Sequence, residues 1–147
     1  MTPDVIIPDL KATDRWQAIE ELVNALADQK SIDEPARLAV ARAIRLREAT
    51  NTTGIGRGTA LPHASITFVD RVVIAFGRSK AGIDFDAPDR QPVHIVLLFA
   101  TPQGQFQTHL NLLARCSRLF QDDATREALR TAPDAAAIAR ILGGCLV

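Results

Sequence analysis

The sequence is poor in sulfur. Its two cysteines, Cys116 and Cys145, stand far apart and form no CxxC pair. No disulfide framework or cysteine-based zinc site is supported, and two free thiols in a reducing cytoplasm are expected. Cys145 lies near the end of the chain, where an exposed, oxidisable thiol is expected. An excess of one charge is also lacking, since 17 Lys and Arg balance 17 Asp and Glu. That balance argues against general nucleic-acid binding, which needs clustered positive charge. No apolar run approaches the roughly 20 residues of a membrane helix. The opening MTPDVIIPDL lacks the basic-then-apolar pattern of a signal peptide. A soluble, cytoplasmic protein is expected, with no membrane insertion and no nucleic-acid partner. Linkers, internal repeats and low-complexity segments are also missing, so residues 1–147 read as one domain.

What is present is a globular composition, 47% hydrophobic over 147 residues, enough for a core without staples. Val5, Ile6 and Ile7 predict a short strand. Over 13–29, Trp16, Ile19, Leu22, Val23 and Leu26 line one helical face, with Thr13 or Asp14 as cap. A second helix is predicted from Asp33 to about Glu48 or Ala49, with Leu38, Ala41 and Ile44 inward. TNTTGIGRG (50–58) reads as turn chemistry, and TALPH as a short strand leading up to His63. VVIAFG (72–77) and IVLLFA (95–100) are short, β-branched and aromatic, the marks of strands buried on both faces. GIDFD (82–86) alternates like a more exposed strand. Helical spacing returns over 105–120, where Phe106, His109, Leu113, Cys116 and Phe120 share a stripe. A helix over 122–131, capped by Asp122 or Asp123, and a last one from Thr131 to Gly143 and Gly144 complete the chain. Helices before and after the strands predict an α/β three-layer sandwich, a small mixed β-sheet flanked by helices on both faces.

Several common chemistries lack their motifs. The glycines at 54, 56 and 58 follow a predicted helix and precede a strand, the reverse of a dinucleotide fingerprint. There is no P-loop, no histidine pair at metal-ligand spacing, and no GxSxG around Ser65. Asp84, Asp86 and Asp89 suit a solvated turn better than a cation site. His63 is the exception, because it follows Pro62 at the end of the glycine-rich loop TGIGRGTALPHA. A neutral imidazole is nucleophilic at cell pH. A transferring phosphoryl group asks for an in-line nucleophile surrounded by donors and positive charge. The backbone N–H groups of Gly56 and Gly58 can approach an anion closely, and Pro62 fixes the backbone before the histidine. On the residues alone, a histidine satisfied by a hydrogen bond at a strand end is the reading that ranks first.

The wider pattern carries more. Glu48, then Ile55-Gly56, then Ala60-Leu61-Pro62-His63-Ala64 closely resemble the phosphorylation-site signature of the fructose/mannitol/nitrogen-regulatory enzyme IIA family. Its members belong to the phosphoenolpyruvate-dependent phosphotransferase system. LREATNTTGIG, QPVHIVLLFATP and THLNLLARCSRLF resemble further family segments, so the likeness covers nearly the whole chain. The resemblance implies that His63 is phosphorylated on Nε2, that His109 lies beside it, and that Arg47 offsets phosphate charge. Thr59 stands where the signature has an aliphatic residue; its hydroxyl joins Gly56 and Gly58 as an expected phosphate ligand. Arg57 and His94 also depart from the family pattern, and His94 is given no catalytic role.

The implied function is that of a histidine phosphocarrier. The histidine-phosphorylated carrier protein HPr, or a paralogue, would be the donor. A IIB domain or a regulatory target would be the acceptor. The chain shows no IIB or IIC segment, which tilts the reading toward the nitrogen-regulatory branch, with sugar transport as the alternative. A binding module that is never phosphorylated is the third possibility. No metal or other cofactor is required by this chemistry.

Overall fold

The sheet is built around two long strands. A computed structural model describes residues 2–145, and the Cys145 side chain lies outside that description. The central strands are β5 (Val73–Ile83) and β6 (Val93–Pro102), paired antiparallel with Val73 opposite Ala100 and Phe76 opposite Leu97. They coincide with the two apolar runs of the sequence. Both faces of these runs are buried, so no polar alternation is needed. Strand β1 (Val5–Ile7) joins the β5 edge in parallel.

The other edge is made of three short strands. β2 (Gly54–Gly56) pairs antiparallel with β3 (Thr59–Ala60), which runs parallel to β6. β4 (His63–Ile66) then continues along the same edge of β6, His63 opposite Phe99 and Ser65 opposite Thr101. Leu61-Pro62 interrupts the edge between them. A proline fits here because an edge position tolerates the missing N–H. The Pro62 carbonyl still accepts from Phe99 N at 3.0 Å, so the ladder resumes at once.

Two apolar layers cover the sheet. On one face lie α1 (Arg15–Asp28) and α2 (Arg37–Thr50), which bury Ile19, Leu22, Val40 and Ile44 against Val73, Ala75, Val96 and Leu98. On the other lie α3 (Phe106–Gln121), α4 (Asp123–Thr131) and α5 (Ala135–Cys145). They bury Leu112, Cys116, Phe120, Leu129 and Ile138 against Ile74, Phe76, Leu97 and Phe99. The result is the expected three-layer α/β sandwich with an open mixed sheet.

Asp14 caps α1 by accepting from Gln17 N, and Asp122 caps α4 by accepting from Thr125 N, both as expected. Several boundaries differ from expectation. The stretch 34–36 is a single 3₁₀ turn before α2, and the inward ridge of α2 is Val40, Ile44 and Glu48, spaced by four. Leu38 lies off that ridge and is 81% exposed. Residues 54–56 form a strand inside the expected turn, and His63 opens a strand where it was expected to close one. GIDFD makes no strand of its own: β5 runs through to Ile83. Asp84 then accepts from Asp86 N, an Asx turn that competes with the ladder, and Phe85 serves as a buried anchor. The last helix starts at Ala135, because Asp134 rather than Thr131 supplies the capping oxygen. Gly143 and Gly144 lie within α5, where the buried Ile138 and Leu142 outweigh a glycine penalty of about 1 kcal/mol each.

The phase of α2 is directly testable. Ile44→Ala, at a fully buried site, is expected to destabilise by about 2–5 kcal/mol in a urea melt. Leu38→Ala on the same helix is expected to change stability by less than about 0.5 kcal/mol. A reversed order would refute the packing described.

Candidate active site

Strand parity decides which way His63 faces. Its cross-strand neighbour Phe99 belongs to the layer under α3, so His63 points to that face while Ala64 turns to the α1–α2 layer. The His63 and Phe99 rings stack, with centroids 5.2 Å apart and an interplanar angle of 11°. His109 sits in the first turn of α3 and reaches over the same spot. Its ring centroid is 5.3 Å from that of His63, inclined by 56°. Two histidines separated by 46 positions in the chain are thus brought side by side at the edge of the sheet.

Hydrogen bonds fix the tautomer of His63. Nδ1 of His63 lies 2.7 Å from the Leu61 carbonyl oxygen. A carbonyl can only accept, so Nδ1 carries the proton and the neutral ring has its lone pair on Nε2. His109 has a different support. Its Nδ1 is 2.7 Å from the Thr101 hydroxyl, and the Ser65 hydroxyl stands 3.4 Å from both. Thr101 is fully buried, directly opposite Ser65, and on the same face as Phe99.

The electrostatics favour neutral rings. The pKa of His63 is lowered, first by burial and then by the charges of Arg47 and His109, against the opposing pull of the Leu61 carbonyl. That of His109 is lowered by burial and by Arg47. Arg47 occupies the last turn of α2, half-buried, where Nη1 donates to the Asn51 carbonyl at 2.8 Å. It makes no salt bridge among the described residues, although its charge acts on the buried Glu48 carboxylate as well as on the two imidazoles.

The glycine loop is elsewhere. Thr59 is opposite Ile95 while His63 is opposite Phe99, a separation of four residues, or roughly 13 Å along an extended strand. Gly56, Gly58 and Thr59 are therefore not brought to the imidazole. The Thr59 hydroxyl already donates to the Gly56 carbonyl at 2.7 Å. Gly56 and Thr59 line a cleft with Ser117, Phe120 and Gln121 instead. The loop turns through left-handed backbone at Gly56, Arg57 and Gly58, φ 92°, 57° and 76°. Only glycine does this freely, and at Arg57 the Asp89 carboxylate compensates by accepting the amide at 2.8 Å. The Arg57 side chain is mostly exposed and pairs loosely with Asp123, 3.7 Å away. Asp84 and Asp89 accept from backbone amides, as turn residues do. His94 donates from Nδ1 to the Ser79 carbonyl at 2.8 Å and faces a separate cleft.

Sequence reasoning missed Phe99 and Thr101. The signal was there: pairing LPHAS with VLLFAT in parallel puts His63 and Ser65 opposite those residues.

The chain as a whole has known relatives. Residues 1–144 match the family model for the phosphoenolpyruvate-dependent sugar phosphotransferase system, EIIA 2. The chain belongs to this EIIA family. Family members carry phosphoryl groups in that system, and a phosphocarrier role follows for this chain. The nitrogen regulatory protein of Bradyrhizobium diazoefficiens is 35% identical over 142 residues, 97% of this chain and 91% of that protein. The fructose-specific EIIABC component of Bacillus subtilis is 36% identical over 142 residues, but the chain spans only 22% of that protein. Nitrogen regulatory protein IIA-Ntr from Neisseria meningitidis has the same fold at a TM-score of 0.84, with 27% identity over 95% of this chain and 92% of that one. No helix among the described residues is long and apolar enough to cross a membrane.

The lowered pKa of His63 has a consequence for stability. As pH falls through the ordinary imidazole value of about 6.5, the unfolded chain takes up a proton that the folded chain refuses. Stability should therefore fall with acidification from about pH 6.5 down to the folded pKa. Urea melts at pH 7.5 and 5.5 should show a larger loss for wild type than for His63→Gln. Equal losses would contradict the assignment.

Proposed function

We propose that this chain accepts a phosphoryl group on Nε2 of His63 from an HPr-type donor and acts as a nitrogen-regulatory-type signal protein. The observation that carries the proposal is the 2.7 Å bond from Nδ1 to Leu61 O, which leaves Nε2 as the free nucleophile beside His109. In the transfer, the N–P bond of the donor phosphohistidine breaks as the Nε2–P bond forms. The ring gains positive character as its lone pair is used, and the Leu61 carbonyl, an acceptor with no proton of its own, stabilises it. In the tautomer in which the Thr101 hydroxyl donates to its Nδ1, His109 holds its proton on Nε2 and offers it to a phosphoryl oxygen. Arg47 supplies positive charge. His63, His109 and Arg47 are the proposed catalytic residues. With the glycine loop set apart, these side chains carry the anion binding once expected of Gly56, Gly58 and Thr59.

The phosphorylated state adds about −1.5 to −2 charges to the rim of the sheet, enough to change which partner docks. The nitrogen-regulatory reading is supported by the relative named for that role, matched over 91% of its length. A second reading is supported by the 36% identity to a fructose-specific component: phosphate passes onward to a IIB domain in sugar transport. The mannitol IIA of Escherichia coli, which has been solved in complex with phosphorylated IIB, shares the fold at a TM-score of 0.81 with 17% identity.

Incubation with phosphoenolpyruvate, enzyme I and HPr should add one phosphate by intact mass, and His63→Ala should add none. His109→Ala should still accept phosphate, with a transfer rate lower by at least about 10-fold. Phosphate retained on His63→Ala would overturn the assignment, and no transfer to wild type would favour a non-phosphorylated binding module.

A further inference from the structure

Glu48 is a buried carboxylate that the reaction above does not use. Only 1% of it is exposed, its pKa is raised by burial, and Oε1 has no hydrogen-bond partner among the described residues. Its nearest cation, Arg15, stands 3.8 Å away. An ionisable group is rarely held at such a position without a task, since removing it from water is unfavourable.

Its other oxygen begins a continuous path. Glu48 Oε2 accepts from Thr53 N at 2.7 Å. The Thr53 carbonyl accepts from Leu61 N at 3.0 Å. The Leu61 carbonyl accepts from His63 Nδ1 at 2.7 Å. The path runs from the last turn of α2, across the β2–β3 edge, to the imidazole. Pro62 follows Leu61, so the final peptide group has no N–H of its own to pair; its placement rests on the Leu61 amide behind it. The segment between is held tightly. Arg47 ties Asn51 O to the helix end, Gly54 N donates to the Thr52 hydroxyl at 3.0 Å, and a Cβ on Gly54 would meet Ala87 Cβ at 3.0 Å.

We propose that Glu48 is a positioning residue for the phosphoryl acceptor: through Thr53 and Leu61, its carboxylate places the carbonyl that holds His63 in the Nδ1–H form. The inference rests on His63 being the acceptor, but its physical content, the tautomer, can be read in the unphosphorylated protein. Without the anchor, Thr53 N loses its acceptor and the edge shifts. The Leu61 carbonyl then moves off the Nδ1–H direction, and the ring samples the tautomer in which Nε2 is protonated and cannot attack phosphorus. The same helix turn carries Arg47, so Glu48 sets the nucleophile and the anion-binding cation in one frame.

The test uses the full chain and long-range ¹H–¹⁵N correlation at the His63 ring, with phosphoryl acceptance from phospho-HPr measured alongside. Wild type should show a single tautomer with Nε2 unprotonated. Glu48→Ala should show a mixture, with kcat lower by roughly 10-fold and KM for the donor changed by less than about 2-fold, as expected for a misplaced nucleophile. Glu48→Gln keeps an oxygen for Thr53 N and should restore the wild-type tautomer and rate to within about 2-fold. A folded Glu48→Ala with an unchanged tautomer overturns the proposal. Should that variant not fold, Glu48→Gln decides alone: a mixed tautomer there also overturns it. A wild type that shows the single tautomer yet accepts no phosphate would defeat the phosphocarrier reading while leaving the Glu48 path standing.

Discussion

The hydrogen bond between His63 Nδ1 and the Leu61 carbonyl is the interaction on which the site depends. An imidazole has two nitrogens of nearly equal basicity, and only one of them can face a partner protein. Fixing the proton on Nδ1 turns an ambiguous ring into a directed nucleophile. The carbonyl that does this lies two residues back along the chain. It points at the ring because Leu61-Pro62 breaks the edge strand between β3 and β4. In an unbroken strand, that carbonyl would lie in the plane of the ladder and the histidine would stand perpendicular to it. The interruption is therefore part of the chemistry, and the flanking pairs, Ala60 with Val96 and His63 with Phe99, keep it local.

Much of the fold was legible because its strongest signals are local. The two central strands announce themselves as short apolar runs, and α1 and α3 as apolar stripes at helical spacing. Boundaries fared worse where tertiary contacts outweigh local preference. Leu38 looks like an inward leucine, yet the ridge of Val40, Ile44 and Glu48 packs on the sheet and leaves it exposed. Nothing in composition marks a glutamate as the third member of a buried ridge; the amide of Thr53 and the nearby Arg15 guanidinium offset its burial. The double glycine near the end of α5 is a common helix stop, but the helix continues through it.

The site was legible in a different way. The proposal of His63, Arg47 and His109 comes from the family resemblance, because no local pattern says that residues 46 apart will touch. The glycine loop lies away from the imidazole. Its glycines satisfy a turn at the far end of the same edge, where left-handed backbone is needed and Asp89 pins the amide of Arg57. Thr101 and Phe99 were under-read, because their role appears only once the parallel register of β4 on β6 is known. Register is a long-range property that a single sequence encodes weakly.

The resting site holds more positive potential than it neutralises. Arg47 is bonded to a carbonyl and not to a carboxylate, and both histidines are kept neutral by burial and by that same charge. A site built for structural stability alone would place an acid beside the arginine, and Glu48, its neighbour in sequence, is instead turned inward to Thr53. An arginine bonded to a carbonyl suits the transient anion proposed above. In the phosphorylated state proposed above, the added negative charge opposes that of Arg47 and favours the protonated form of His109. His109 then strengthens its hold on the group it faces, while the Leu61 carbonyl stabilises the ring that carries it. Both effects vanish when the phosphoryl group leaves, so the resting site is again ready for a neutral nucleophile. A carrier needs this symmetry, because it must accept and release the same group at one atom.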